Sequence, residues 1–430
     1  MQLTVGKINS ISGTITVPGD KSISHRSIMI GALADGVTHV TGFLAAEDCI
    51  STMRCFESLG VTIERLSDTE LKIHGVGLKG LKEPGDVLDV GNSGTTLRIF
   101  PGILASQDQG LFVVLTGDAS IRRRPTGRVV EPLRLMTAEI WGREEGNYPP
   151  LAINGSRIES IQYNLPVASA QVKTCLLLAA LLAEGETEIS EPAQSRDHTE
   201  RMLELFGARI DSYDTTYKIN GGQRLKAAPV DVPGDISSAA FFMVAASIVN
   251  DSSLRIENVG VNETRTGIID ALYEMGANIL LSDQRDVSNE PRANMEIKSA
   301  QLKATILEGE IIPRLIDEIP IIAVAATQAE GRTEIRDARE LRVKESDRIA
   351  ALSAELRKMG AIIEELDDGM IIHGPTPLKG ARVNSHGDHR IAMSLAVAAL
   401  VADGETVIEN SESIAISYPS FVGDVLNLRK

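Results

Sequence analysis

The sequence predicts an α/β protein of two domains in which some helices are buried and others lie on the surface. Three observations carry this. The chain has 430 residues, more than one hydrophobic core usually organises. A unit of about 70 residues recurs six times. Within it two kinds of helix alternate, one apolar almost all round and one charged along a face. Each unit reads as a polar helix start, a small-residue apolar helix, a glycine turn, a short strand, a polar link, an amphipathic helix and a strand. Val232-Pro233-Gly234-Asp235 restates Val17-Pro18-Gly19-Asp20, so the chain is expected to cross between domains at these two points. Residues 1–20 with 235–430 would form one domain of three units, carrying both termini, and 21–234 the other.

The elements follow in order. Pro18 and Gly19 break a strand over Gly13 to Val17; Asp20 or Ser22 can cap the helix that runs through Ile28 to Leu33. Further apolar helices are expected to start near Gly91-Asn92-Ser93-Gly94-Thr95-Thr96, Ala168-Ser169-Ala170-Gln171, Gly234-Asp235-Ile236-Ser237-Ser238, Asp317-Glu318-Ile319-Pro320 and Gly387-Asp388-His389-Arg390. Gly185, Gly331 and Gly404 close three of them as C-terminal caps and lead into strands. The amphipathic helices end alike, at Leu59-Gly60-Val61, Phe206-Gly207-Ala208, Met275-Gly276-Ala277 and Met359-Gly360-Ala361. Ile73-His74-Gly75 is echoed by Ile372-His373-Gly374, so His74 and His373 read as turn residues and not as ligands. If the buried helices of both domains aim their starts at one crevice, six positive dipole ends would hold an anionic substrate there.

Composition narrows the partners. Hydrophobic residues make up 43% and the mean hydropathy is +0.00, values of a soluble globular protein. No apolar run approaches the roughly 20 residues needed to span a bilayer, and Met1-Gln2-Leu3-Thr4-Val5 lacks the order of a signal peptide, so a cytoplasmic protein is expected. Cys49, Cys55 and Cys175 are an odd set without a Cys-x-x-Cys pair, which argues for reduced, buried thiols. A net charge of -16 disfavours nucleic acid and acidic membranes, so any basic cluster serves a local purpose.

Such clusters sit at the helix starts. Lys21-Ser22-Ile23-Ser24-His25-Arg26 joins two cations and several hydroxyls to the free amide groups of a helix, a setting that favours phosphate or carboxylate. In Gly91-Asn92-Ser93-Gly94-Thr95-Thr96-Leu97-Arg98, glycine permits close backbone approach and the polar side chains supply hydrogen bonds. The run Arg122-Arg123-Arg124-Pro125-Thr126-Gly127-Arg128 is an arginine-dense loop in an acidic chain and calls for anionic company. In Leu341-Arg342-Val343-Lys344-Glu345-Ser346-Asp347-Arg348, Lys344 and Arg348 lie four apart and would share one helix face, with Glu345 alongside as a proton carrier. His386-Gly387-Asp388-His389-Arg390 has the residue types of a metal site, but Asp388 can cap a helix and Arg390 would repel a cation.

Taken together, Lys21 to Arg26, Gly91 to Thr95, Arg124-Pro125, Ser169-Ala170-Gln171, Arg342 to Arg348 and Asp388-His389-Arg390 resemble the motifs of the 5-enolpyruvylshikimate-3-phosphate synthase family, in order and over essentially the whole chain. The resemblance implies the two-domain enolpyruvyl transferase fold, with three βαβαββ units per domain and an active site formed between the domains. It implies that Lys21, Gly94, Arg124, Gln171, Arg348 and Arg390 bind phosphoenolpyruvate. Shikimate 3-phosphate would be held by Lys21, Ser22, Arg26, Ser169, Gln171, Arg196, Asp317 and Lys344. Three positions depart from some members: Ala170 replaces a second serine, Glu340 an asparagine, and Ala415-Ile416-Ser417-Tyr418-Pro419 lacks a lysine.

The implied activity is a transferase of chorismate and aromatic amino-acid biosynthesis. The 5-hydroxyl of shikimate 3-phosphate adds to C2 of phosphoenolpyruvate as C3 gains a proton, and the tetrahedral intermediate then loses phosphate. Glu345 is expected to carry the C3 proton, with Asp317 and Lys21 handling the hydroxyl and the leaving phosphate. No cofactor or metal is implied, and a monomer is expected. A sister family that enolpyruvylates a UDP-sugar uses a loop cysteine a few residues before the equivalent of Arg124; here the loop Thr116-Gly117-Asp118-Ala119-Ser120-Ile121 has none. A non-catalytic anion-binding scaffold would explain basic helix starts but not the acids Glu345 and Asp317 among them.

Overall fold

The computed structural model describes residues 1–107 and 110–428. The chain divides into two compact units. One comprises Met1–Pro18, Pro233–Asp286 and the residues from Pro291 onward; the other comprises Gly19–Val232 with Val287–Glu290. Each has its own hydrophobic core.

In the Gly19–Val232 unit, three four-stranded sheets repeat one topology. In the first, Val230–Asp231 pairs parallel with Asp35–Thr41, which pairs antiparallel with Glu70–Val76, and that strand with Thr62–Arg65. The other two sheets are built around Phe112–Thr116 and Glu186–Ser190 in the same way. The sheets enclose three apolar helices, Lys21–Leu33, Gly94–Ala105 and Ala170–Ala180. Close approach of the last two depends on Gly102, where a Cβ would stand 2.1 Å from the Cys175 carbonyl oxygen. Phe56 and Phe100 meet edge to face with centroids 4.8 Å apart, a pairing worth roughly 0.5–1.5 kcal/mol beyond the area it buries.

The other unit repeats the scheme with the helices Ile236–Ile248, Ile319–Gln328 and His389–Ala399. The N-terminal segment completes two of its sheets: Ser12–Thr16 runs parallel to Ser253–Gly260, and Gln2–Gly6 pairs antiparallel with Glu405–Glu409. All six apolar helices start where local polar residues predict, with Asp20, Ser93, Ser169, Asp235, Glu318 and Asp388 at the N-cap positions. Four amphipathic helices end on left-handed glycines, Gly60, Gly207, Gly276 and Gly360, whereas the helix Gly127–Leu135 ends on Thr137, with φ 67°. Gly60 has φ 87°, and the Val61 amide donates to the Phe56 carbonyl, closing the last turn.

Three local expectations are corrected. His74 and His373 lie in strands, Glu70–Val76 and Gly369–Gly374, because the chain turns after the following glycine and not at the histidine; His74 Nε2 stands 2.5 Å from Glu64 Oε1 on the neighbouring strand. Gly185, Gly331 and Gly404 have φ of 94°, 113° and 96°, yet they occupy the turn into the next strand, since the helices stop earlier, at Ala180, Gln328 and Ala399. Lys344 and Arg348 do not share a helix face. Residues Arg339–Val343 form a 3-10 turn, and Asp347 caps a helix that begins only at Arg348 by accepting from the Ala350 amide at 3.0 Å. Among the described residues no helix is long and apolar enough to cross a membrane.

Candidate active site

In the Gly19–Val232 unit, the starts of the three apolar helices gather cations. Lys21 opens the first helix and ion-pairs with Asp48, whose side chain is buried. One turn on, Arg26 is buried and held by neutral groups: Nε donates to Thr199 Oγ1 at 2.7 Å, Nη2 to Thr174 Oγ1 at 2.8 Å and Nη1 to the Ser22 carbonyl at 3.0 Å. Burial lowers the Arg26 guanidinium to about 10, Glu200 opposes that, and Arg196 lies close enough to lower it further. Two neighbouring guanidinium groups that repel each other make a place for an anion. His25, between these cations, is kept neutral by burial and then by Lys21 and Arg26.

The second helix start holds a tighter arrangement. Ser93 caps the helix, accepting from the Thr96 amide at 3.2 Å, and Gly94 is its first residue. A Cβ on Gly94 would lie 2.7 Å from Arg124 Nη1 and 3.3 Å from Arg98 Nη1, so two guanidinium groups converge over one helix N-terminus. Arg124 Nη2 donates to Asn92 Oδ1 at 3.0 Å, and Arg98 Nη1 to Gln171 Oε1 at 3.0 Å. Gln171 belongs to the third helix, where Ser169 is the N-cap residue but makes no side-chain capping bond. Gly94, Arg124 and Gln171 thus meet, and Lys21, Ser22, Arg26, Ser169 and Arg196 stand at or beside the same helix starts. Arg122 and Arg123, from the arginine run, are exposed, and Arg122 Nη1 donates to the Gly117 carbonyl at 2.8 Å.

In the other unit Arg348 is the hub. Its side chain is 2% exposed, with Nε 2.8 Å from Asp388 Oδ2, Nη1 3.2 Å from Asp317 Oδ1 and Nη2 2.6 Å from Glu345 Oε2. Burial opposes the charge, yet Asp388, Glu345 and Asp317 outweigh it and raise Arg348 above its ordinary value. Asp317 also lies 4.0 Å from Lys344 Nζ and 3.8 Å from Arg390 Nη2, and its carbonyl accepts from Arg390 Nη1 at 3.0 Å. Asp388 accepts from the Arg390 amide at 2.9 Å, so it caps a helix and binds an arginine at once. Asp317, Lys344, Glu345, Arg348 and Arg390 are therefore in one cluster, with Lys344 also 3.2 Å from Glu340.

Comparisons with known proteins cover nearly the whole chain. Residues 5–425 fit the family model described as EPSP synthase (3-phosphoshikimate 1-carboxyvinyltransferase). The chain belongs to the EPSP synthase family. It is 55% identical over 424 residues to the 3-phosphoshikimate 1-carboxyvinyltransferase of Bacillus thuringiensis (strain Al Hakam), covering 98% of each chain. It is 57% identical over 414 residues to that of Thermosynechococcus vestitus, covering 96% of this chain and 94% of the relative. Among solved structures, EPSP synthase from Acinetobacter baumannii superposes with a TM-score of 0.89 at 45% identity, over 100% of this chain and 98% of that one. The enolpyruvyl transferase NikO from Streptomyces tendae has a TM-score of 0.78 at 18% identity over 99% and 97% of the chains, a likeness of fold.

Several residues of these clusters were not singled out by sequence reasoning. Arg98 sits one turn inside the helix that Gly94 opens, and that i, i+4 spacing is the signal that could have found it. Asp48, Thr174, Thr199 and Glu318, whose Oε1 lies 3.6 Å from Arg390 Nη1, carry no such signal: Asp48 looks like an ordinary first-turn acid of the helix Glu47–Ser58.

Proposed function

We propose that this protein transfers the enolpyruvyl group of phosphoenolpyruvate to the 5-hydroxyl of shikimate 3-phosphate, releasing phosphate and yielding 5-enolpyruvylshikimate 3-phosphate, the step its relatives' name describes. The observation that carries the reading is the meeting of Asp317, Lys344, Glu345 and Arg390 around the buried Arg348. Carboxylates that can move protons are held there among cations that can hold anions, which a passive anion-binding scaffold does not need.

The chemistry assigns roles. Two polyanionic reactants repel each other, and arginine clamps offset that repulsion while fixing their approach. Phosphoenolpyruvate is assigned to Lys21, Gly94, Arg124, Gln171, Arg348 and Arg390, and the convergence of Arg98 on Gly94 adds it to that set. Shikimate 3-phosphate is assigned to Lys21, Ser22, Arg26, Ser169, Gln171, Arg196, Asp317 and Lys344. Glu345 gives C3 its proton and takes it back, so that addition at C2 can be followed by loss of phosphate. Asp317 accepts the proton of the 5-hydroxyl, and Lys21 neutralises the leaving phosphate. The enzyme acts as a cytoplasmic monomer in this reading.

The experiment is a phosphate-release assay. Release is expected only with both substrates and to be unaffected by EDTA; turnover with UDP-N-acetylglucosamine in place of shikimate 3-phosphate would overturn the assignment. Because the assignment draws on both units, Arg26→Ala and Lys344→Ala are each expected to weaken shikimate 3-phosphate binding by about tenfold or more.

A further inference from the structure

Beneath the Arg26 site lies a group of buried charges that the reaction as described does not use. Lys173 is fully buried, and its Nζ stands 2.8 Å from Glu191 Oε1 and 2.8 Å from Glu200 Oε1, both side chains also buried. The ammonium lies 4.1 Å from the Tyr217 ring centroid. Burial works against its charge, yet Glu200 and Glu191 outweigh burial and raise it above the ordinary lysine value. Glu191 is fully engaged: Oε1 also accepts from the Ser195 amide at 2.9 Å and Tyr217 Oη at 3.1 Å, and Oε2 from Ser195 Oγ at 2.5 Å.

A buried ion group of this kind is weak as a stabilising device, since well-packed apolar side chains of similar volume often do as well or better. Its placement is more informative. Lys173 sits four residues after Ser169 and two after Gln171, at the start of the helix Ala170–Ala180. Its neighbour Thr174 holds Arg26 Nη2. Glu200 follows Thr199, which holds Arg26 Nε, and Thr174 and Thr199 hydrogen-bond each other at 2.6 Å. Glu191 pins Ser195, the residue before Arg196. One ammonium therefore ties together the three segments that present Ser169 and Gln171, that fasten Arg26, and that carry Arg196.

We propose that Lys173, with Glu191 and Glu200, is a positioning group that sets Arg26, Ser169 and Arg196 at the spacing a phosphate monoester requires. This rests on the assignment of those three residues to shikimate 3-phosphate, and narrows it to the phosphate of that substrate. The group never touches the substrate. It acts by removing alternatives, because a carboxylate paired with Lys173 no longer turns to pair with Arg26, which stays fastened by Thr199, Thr174 and the Ser22 carbonyl.

The test compares Glu191→Gln and Lys173→Met with Arg26→Ala, Arg196→Ala and a core control, Leu178→Ala, on the same helix. Glu191→Gln keeps the size of the side chain but lacks the charge and turns one acceptor into a donor facing Ser195. It is expected to raise the KM for shikimate 3-phosphate about tenfold, with the KM for phosphoenolpyruvate and the kcat at saturation within twofold. Lys173→Met should do at least as much if it folds. Leu178→Ala, which lowers the melting temperature by opening a cavity, should leave the KM for shikimate 3-phosphate within twofold. The proposal is overturned if Glu191→Gln leaves that KM unchanged while Arg26→Ala raises it, or if Leu178→Ala raises it as much as Glu191→Gln. An unchanged KM in both Arg26→Ala and Arg196→Ala removes the phosphate assignment itself, and the proposal with it.

Discussion

Adding one methyl group at Gly94 should separate the two substrates cleanly. Gly94 is the first residue of its helix, and its φ lies outside the left-handed region, so alanine suits the backbone and should cost no stability. The added Cβ would stand 2.7 Å from Arg124 Nη1, against the 3.4 Å at which ordinary contact begins, so this guanidinium must retreat by about 0.7 Å. Arg98 Nη1, at 3.3 Å, barely moves. A charge-assisted hydrogen bond contributes roughly 1.5–3 kcal/mol, and losing about half of one at the upper end of that range corresponds to an approximately tenfold change in affinity. Gly94→Ala is therefore expected to raise the KM for phosphoenolpyruvate about tenfold, to change that for shikimate 3-phosphate less than twofold, and to leave the melting temperature at or above wild type. Initial rates of phosphate release, each substrate varied at saturating levels of the other, measure both constants. A KM for phosphoenolpyruvate within twofold of wild type, or an equal rise for both substrates, would refute the placement of Arg124 over this helix start as its clamp.

Two further outcomes are expected. Glu345→Gln keeps an acceptor for Arg348 Nη2, now at 2.6 Å, but cannot carry a proton, so turnover should fall about 10²-fold or more with little change in shikimate 3-phosphate affinity; near wild-type turnover would move the C3 proton to another group. His25 is buried and held neutral, whereas in the unfolded chain it takes up a proton below pH 6.5. The unfolded state then binds the extra proton, so stability should fall on acidification below that pH by up to about 1.4 kcal/mol per unit. Glu200, raised by burial, has the opposite sign: it protonates first in the folded state and eases folding as pH falls through its folded value. Urea midpoints of wild type and His25→Gln share the Glu200 contribution, and their difference should shrink towards acid pH. Parallel curves would show that His25 is not the proton-linked group.

The helix starts were legible because capping is local. Asp20, Ser93, Asp235 and Asp388 accept hydrogen bonds from amides two or three residues ahead, so residue type and spacing within one turn decide the outcome. The same locality makes the glycine that recurs after four amphipathic helices, at Gly60, Gly207, Gly276 and Gly360, readable. Failures occurred where two local rules compete. At Lys344 the i, i+4 charge spacing argued for one helix face, but the Asp347 cap started the helix later, and Lys344 and Arg348 meet instead through Asp317. The strand placement of His74 and His373 depends on pairing with Thr62 and Ile362 on neighbouring strands, which turn residues alone do not encode.

By itself, then, the sequence determined the α/β class, the sixfold repeat, the capped starts of the buried helices and membership of an enolpyruvyl transferase family, since each follows from short-range chemistry or from motifs in order along the chain. Only the tertiary structure decided who meets whom: Arg98 with Arg124 over Gly94, Lys21 with Asp48, three acids on Arg348, and Lys173 between Glu191 and Glu200. The physical reason is burial. A charge on the surface is satisfied by water wherever it stands, whereas a charge in the interior must find its partner across the fold, and that partner is chosen by packing.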